Sequence, residues 1–405
     1  LEERKEVAWV IDPETGDAKR STPRHSEREI EMCARCHARR SPITDGYEHR
    51  DRLMDHYMPR LLDQGMYFAD GQMDDEVYVY GSFLQSRMYQ AGVTCSDCHE
   101  PHDLSLRAPG NGVCLQCHQA DKYDAPQHHH HEPGSVGASC AECHMPPRNY
   151  MVVDPRHDHS MRIPRPDLSV ELGTPNACNT CHQDRSSEWA AQQVSDWYGK
   201  TPTGLQQYAA ALQAARDRAP TAGRELAALI RDTQTPDIAR ATALTAIGPY
   251  VNRANVDVLA SGVTDSDPMV RAATLTALEP LPQGLQVRLG WPLLGDPVRA
   301  VRIEAGRLLS AIPRGELADD QRELLSSVMS EYLDSQFAMA ERPEAQANLG
   351  NFYVARGEGD MAIAAYRTAI ILEPRFVPAR INLADFYSRS GNEAKAVIAS
   401  CRYGG

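Results

Sequence analysis

The chain changes rhythm along its length. Up to about residue 185, Pro, Gly and Asp are dense and apolar residues show little periodicity, which predicts loops rather than regular elements. Val7-Ala8-Trp9-Val10-Ile11 reads as a strand that runs into a turn at Asp12-Pro13-Glu14-Thr15-Gly16. Val77-Tyr78-Val79-Tyr80 alternates but is too short to define a sheet. A helix is predicted from Ser186 or Ser187 through Trp189, Val194 and Trp197, ending at Gly199. From about residue 236 the pattern becomes helical and repetitive. Arg240-Ala241-Thr242-Ala243-Leu244 returns 31 residues later as Arg271-Ala272-Ala273-Thr274-Leu275, and Arg302 keeps the interval. From Pro343 the interval is 34: Leu349, Tyr353 and Ala362 are matched by Leu383, Tyr387 and Ala396.

These intervals are those of helical-pair repeats, HEAT-type first and tetratricopeptide after Pro343. Asp267-Pro268 and Asp296-Pro297 are expected to start helices, with Pro in the first turn. Leu349, Gly350, Tyr353, Ala362, Tyr366, Ala369 and Pro374 fall at tetratricopeptide positions, where small residues let two helices approach and aromatics fill the gap. The second such repeat ends at Gly404-Gly405 without a capping helix, so the chain reads as a piece of a longer protein. The opening strand, for which no partner is evident, points the same way. Cys401 reads as a packed thiol.

Composition narrows the classes. With 405 residues, several domains are expected. Hydrophobic residues at 42% and charged residues at 24% fit a globular protein and exclude disorder as the main state. No apolar run is long enough to cross a bilayer. A net charge of -13 opposes nucleic-acid binding, which needs a basic face.

The chemistry is concentrated before residue 183. All 15 His lie at or before His182, and every Cys except Cys401 lies at or before Cys181. Five times the chain writes Cys-x-x-Cys-His: Cys33, Cys36, His37; Cys95, Cys98, His99; Cys114, Cys117, His118; Cys140, Cys143, His144; Cys178, Cys181, His182. This spacing attaches c-type haem: two thiols form thioethers with one porphyrin edge, and the next imidazole is the proximal iron ligand. Zinc sites also use Cys-x-x-Cys but do not require the following His. A disulfide framework would explain the cysteines and leave the histidines unexplained.

Five covalently bound haem c groups with five proximal ligands are therefore expected, each wanting a sixth ligand. The other histidines exceed that demand. His56, His102, His129, His131 and His159 are the expected distal ligands, with His25, His49, His128 and His157 behind them. His102 follows His99 too closely to reach the far face of the same iron, so it should serve a neighbour. Asp158 is a candidate hydrogen-bond partner of His159. Met145 and Met151 are thioether alternatives, more readily explained as packing. With so many porphyrins in so few residues, the porphyrin faces should be the core of this region.

At this point the residues resemble a known family. Met32-Cys33-Ala34-Arg35-Cys36-His37, the stretch Tyr89 to His102, the His-rich run before Cys140, and Asp158-His159-Ser160 ahead of Pro175-Asn176-Ala177-Cys178 are similar to bacterial multihaem cytochromes c with C-terminal tetratricopeptide repeats. A more distant resemblance is to the superfamily of pentahaem nitrite reductases and octahaem hydroxylamine-oxidising enzymes. The closer resemblance, which covers most of the chain, implies an exported protein and further haem motifs upstream of Leu1. The nitrite reductases hold their active haem through Cys-x-x-Cys-Lys, and every motif here ends in His.

The expected architecture is mainly α. A loop-rich multihaem domain (residues 1–185) and a helical linker (186–235) precede a solenoid of HEAT-like (236–330) and tetratricopeptide (331–405) repeats. The favoured function is electron transfer along closely packed bis-His haems, with the solenoid docking a redox partner or assembling protomers. One alternative is an oxidoreductase acting on small nitrogen or sulfur oxyanions, its active haem lying in an upstream part. Another is a protomer of an extracellular cytochrome filament. Haem c attachment implies a periplasmic or cell-surface location.

Overall fold

A computed structural model describes residues 7–103, 105–200 and 203–400, so Cys401 lies outside the described residues. The protein is mainly helical, with three two-stranded pairings among the described residues. It divides into two compact units. One comprises residues 1–40 and 59–258, the other residues 41–58 and 259–405.

In the first unit, Trp9–Ile11 pairs antiparallel with Ala18–Arg20, Trp9 opposite Arg20. The opening strand therefore has its partner within the chain, contrary to expectation. Asp12 closes the turn: its side chain accepts from Glu14 N–H at 2.9 Å, and its carbonyl accepts from Gly16 N–H at 2.7 Å. Gly16 sits at φ +75°, a left-handed conformation that glycine adopts without a Cβ penalty.

The helix Arg28–His37 carries acids in its first turn and basic residues in its last, as the helix dipole favours. Its buried Ile30 joins Phe83 and Val93 in a small apolar cluster. The helix Ser187–Tyr198 has the predicted ends: Ser186 caps it by accepting from Trp189 N–H, and Gly199 closes it at φ +66°.

The helices Ala209–Arg216, Ala222–Arg231 and Asp237–Ile247 then pack in succession around buried Leu212, Leu226, Ile238, Leu244 and Ile247. They also cover the loops before them. Thr242 Oγ1 accepts from Leu62 N–H at 3.0 Å, and Arg216 donates to the carbonyls of Leu62 and Tyr67. Leu62, Tyr67, Met73 and Val77 are all buried. The loop region thus has a conventional apolar core beside its helices, which corrects the expectation that porphyrin faces alone would supply one.

In the second unit the segment 41–58 meets the start of the helix Arg299–Leu308. Asp55 Oδ1 accepts from Arg299 N–H at 2.8 Å, and Arg52 donates to Pro297 O. Pro268–Leu278 begins as the sequence suggests, with Asp267 Oδ1 accepting from Met269 and Val270 N–H. Asp296-Pro297 does not start a helix. Asp296 instead makes a local turn, accepting from Val298 N–H at 2.8 Å, and binds Arg271 through both oxygens at 2.6 and 3.0 Å. The carboxylate engaged by a neighbouring helix is not free to cap its own, and the helix starts at Arg299.

Further on, Asp319–Phe337 leads to the paired helices Pro343–Ala355 and Gly359–Leu372, then Val377–Arg389 and Glu393–Ser400. A Cβ on Gly350 would stand 2.7 Å from Tyr366 Cζ, so only glycine admits the ring there.

Candidate functional site

Each Cys-x-x-Cys-His motif folds as about one helical turn. His99, His118 and His182 N–H donate to the carbonyls of Cys95, Cys114 and Cys178 at 3.0, 3.0 and 2.9 Å. Cys33 to His37 ends the helix Arg28–His37, and Cys140–His144 is itself helical. In a helical turn, positions i, i+3 and i+4 share one face, so both thiols and the imidazole point the same way. Local caps start these turns where they are needed. Asp97 Oδ2 accepts from Thr94 N–H at 2.8 Å, and Asn176 Oδ1 accepts from Asn179 N–H at 3.0 Å.

Neighbouring motifs are tied to one another. Glu29, in the first motif's helix, accepts from Ser96 N–H at 2.8 Å in the second. Asn111 serves the third and fourth: its carbonyl accepts from Cys114 N–H, and its Oδ1 accepts from Cys140 N–H, both at 2.9 Å. Cys33 and Cys95 are hydrogen-bond neighbours, as are Cys114 and Cys140. Burial, then the nearby thiols of Cys178, Cys140 and Cys181, pushes Cys143 up to about 11. The first and second, third and fourth, and fourth and fifth motifs are thus adjacent.

Three motif imidazoles face a second imidazole. The ring centroids of His99 and His159 are 6.3 Å apart, those of His144 and His128 6.0 Å, and those of His182 and His131 6.2 Å. A centroid stands about 1 Å behind its nitrogen and a metal–imidazole bond is about 2 Å, so two imidazoles trans on one metal have centroids about 6 Å apart. Backbone carbonyls accept from Nδ1–H of His144 (Arg162 O, 2.7 Å), His159 (His157 O, 2.9 Å) and His131 (His129 O). That tautomer leaves Nε2 bare, as a metal ligand requires. Burial holds His99, His128, His144 and His159 below the usual histidine range, favouring the neutral, lone-pair-bearing form. At these three motifs the residues present therefore fit covalently attached, bis-imidazole haem.

The run His128 to His131 is split by its backbone. The helix Pro126–His129 ends at His130, which lies at φ +56° and stacks on Trp197 at 4.2 Å. His128 is thereby aimed at His144 and His131 at His182, while His129 Nδ1 accepts from His131 N–H at 3.1 Å. Helix Ser187–Tyr198 braces the run, Tyr198 donating to His128 O at 2.7 Å.

The remaining expected ligands are not among these three pairs. His102 is exposed on a turn. His56 is buried in the second unit, its Nε2 2.9 Å from Asp51 Oδ2. His49 is exposed, and His157 gives Nδ1–H to Met145 O at 2.7 Å. Met151 is exposed at the tip of the hairpin Pro147–Tyr150/Asp154–His157. Asp158 does not hold His159: its carboxylate accepts from Ser160 N–H at 2.9 Å and Met73 N–H at 3.4 Å.

Sequence reasoning missed a buried charged cluster behind these imidazoles. Arg162 lies 3.2 Å from Asp70 Oδ2 and 3.9 Å from Asp158 Oδ2, and it donates to Ser160 Oγ at 3.1 Å. Gln72 donates to Asp70 Oδ2 at 2.7 Å and to Pro175 O at 2.6 Å. Arg162 N–H also donates to His144 O at 2.9 Å, so the main chain of Arg162 grips the fourth motif twice.

Residues 89–123, which hold the second and third motifs, match the family described as a doubled CXXCH motif. No curated protein and no solved structure matches the chain. The doubled motif, together with the motif geometry, suggests covalent haem c binding of the kind found in multihaem c-type cytochromes.

Proposed function

We propose that the chain is an electron carrier holding five covalent haem c groups in a row that follows the sequence order of its motifs. The cysteine pairs provide the thioethers, and His37, His99, His118, His144 and His182 are the proximal ligands. His159 completes the site of His99, His128 that of His144, and His131 that of His182. The single observation that carries this reading is the three facing imidazole pairs at 6.0–6.3 Å. When bound, haem supplies reversible one-electron chemistry; double imidazole ligation and burial favour a low potential. The chain's own residues orient the imidazoles, fix their tautomers and keep neighbouring sites adjacent.

The helices from residue 236 onward serve, in this reading, as HEAT-like and tetratricopeptide repeats that dock a redox protein or a further haem subunit. The close seating of Tyr366 against Gly350, both at tetratricopeptide positions of the sequence, supports it. The cofactor class implies a periplasmic or cell-surface location. No described helix is long and apolar enough to cross a membrane.

The test is the intact mass and optical spectrum of the full chain expressed with haem c maturation. Five added haems are expected, with low-spin, bis-imidazole signals from the sites of His99, His144 and His182. A colourless protein of bare polypeptide mass would refute the reading. Fewer than five haems would refute the count.

A further inference from the structure

The hairpin Trp9–Ile11/Ala18–Arg20 has no part in the reading above, yet its turn is built onto the third motif. Ala18 N–H donates to Cys117 O at 2.7 Å, and Gln119 N–H donates to Gly16 O at 2.8 Å. Tyr123 Oη donates to Thr15 O at 3.0 Å, and Lys122 Nζ binds the same carbonyl. A Cβ on Gly16 would stand 2.8 Å from Lys122 Cδ, so the turn approaches closely only because glycine is there. Asp17 and His118 form an antiparallel bridge, with Asp17 Oδ1 2.8 Å from His118 Nδ1.

This contact differs in kind from those of the other anchored imidazoles. The Nδ1–H groups of His144, His159 and His131 meet neutral carbonyls. Among the described contacts, His118 is the one motif imidazole whose Nδ1–H meets a carboxylate. An anionic acceptor draws the proton further from the ring and makes the opposite nitrogen a stronger donor. A stronger donor favours the oxidised metal, which lowers the potential of that site. Asp17 is about half exposed, so solvent moderates the effect without reversing it.

We infer that Asp17 is a positioning residue that fixes the orientation and basicity of His118 and makes the third site more reducing than it would be with a carbonyl acceptor. The third site is central in the proposed row. Lowering its potential places a step between the first two sites and the last two, so that electrons held at partial reduction collect on either side of it. The inference rests on the cytochrome reading.

The experiment is a spectroelectrochemical titration of the haem-loaded full chain and its variants. Asp17→Asn keeps an oxygen that can accept from Nδ1–H and removes the charge. One reduction wave is expected to move to higher potential, the others staying in place, with the low-spin spectrum retained. Asp17→Glu is expected to bring that wave back toward its original position. Lys122→Met removes a contact to Thr15 and leaves Asp17 and its hydrogen bonds, so it controls for mere docking of the hairpin. No displaced wave in D17N, a common displacement of all waves, or an equal displacement to higher potential in K122M would overturn the inference. Failure to load haem would instead count against the cytochrome reading, and mass spectrometry separates the two cases.

Discussion

Gly137→Ala tests whether His131 is anchored from both sides. Gly137 lies in the 3-10 turn Val136–Ala138 and does not adopt a left-handed conformation, so alanine fits the backbone. The added Cβ would stand 2.6 Å from His131 Cγ and 2.8 Å from Nε2. Ordinary contact would require the ring to retreat by roughly 1 Å. A histidine free to swing could yield at little cost. A ring that donates to His129 O and faces His182 across 6.2 Å cannot move that far and still share a metal with it. In the haem-free chain the substitution should therefore cost well under the ~1–3 kcal/mol of an overpacked core. In the loaded protein one site should become partly high-spin and accept cyanide, as His131→Ala should do more completely. Electron paramagnetic resonance integrated against total haem measures the fraction. Gly284→Ala, with nothing within 4 Å of the new Cβ, is the control. A G137A protein with no more high-spin haem than wild type and no added cyanide-binding site would refute the reasoning.

Two further predictions concern stability. Asp296→Ala strands the Arg271 guanidinium, whose side chain is 12% exposed, and breaking such a buried pair costs about 3–5 kcal/mol. Arg271 keeps the carbonyls of Asp265 and Ser266, so the lower end is expected; chemical denaturation followed by far-ultraviolet circular dichroism should show it, and a loss below ~1 kcal/mol would contradict the assignment. Glu29 governs acid sensitivity: burial alone would raise its carboxyl, but the hydrogen bonds from Ser96 and Thr94 outweigh that and hold it below the usual range. A depressed carboxyl stabilises the fold above its unfolded pKa and loses that contribution as pH falls through the folded value. The melting-temperature gap between wild type and E29Q should therefore close on acidification below the ordinary glutamate range, and a gap that stays constant or widens would contradict this.

What the sequence makes legible follows from where the chemistry is local. Thioether attachment imposes its spacing on five consecutive positions, so the motifs read directly. The helix Ser187–Tyr198 reads equally well because Ser186 and Gly199 mark its ends. The distal side is different, since a facing imidazole needs only to arrive from somewhere in the chain. In the run His128 to His131 the choice of His128 with His131 depends on a left-handed residue at His130, a conformation that histidine adopts uncommonly and that no neighbouring residue signals. The partner of the opening strand was hidden for a related reason. Ala18-Lys19-Arg20 has no apolar alternation, and its pairing is secured by the turn and by the third motif rather than by a buried face. Asp296 was misread because a carboxylate before proline looks like a cap until a distant arginine is placed beside it.

The cluster of Asp70, Asp158 and Arg162 shows how a loop-built site is held without regular structure. Residues 158–162 are outside any helix or strand, yet His159 and the carbonyl that grips His144 both hang from them. All three charged side chains are 5% exposed or less, and buried ion clusters of this kind contribute little net stability. Their value here is positional: the two carboxylates and one guanidinium fix the loop from three directions, within the fraction of an ångström that a metal ligand tolerates. This separates two substitutions that otherwise look alike. His159→Ala removes one imidazole and should disturb only the site of His99. Arg162→Ala removes no ligand, but it frees Asp70 and Asp158 to repel each other and slackens the chain beside both His159 and His144. Two sites should then broaden or become partly high-spin together, with the mass still showing every haem attached. If R162A alters one site alone, or none while stability falls, the cluster is a stability element and the positional argument fails.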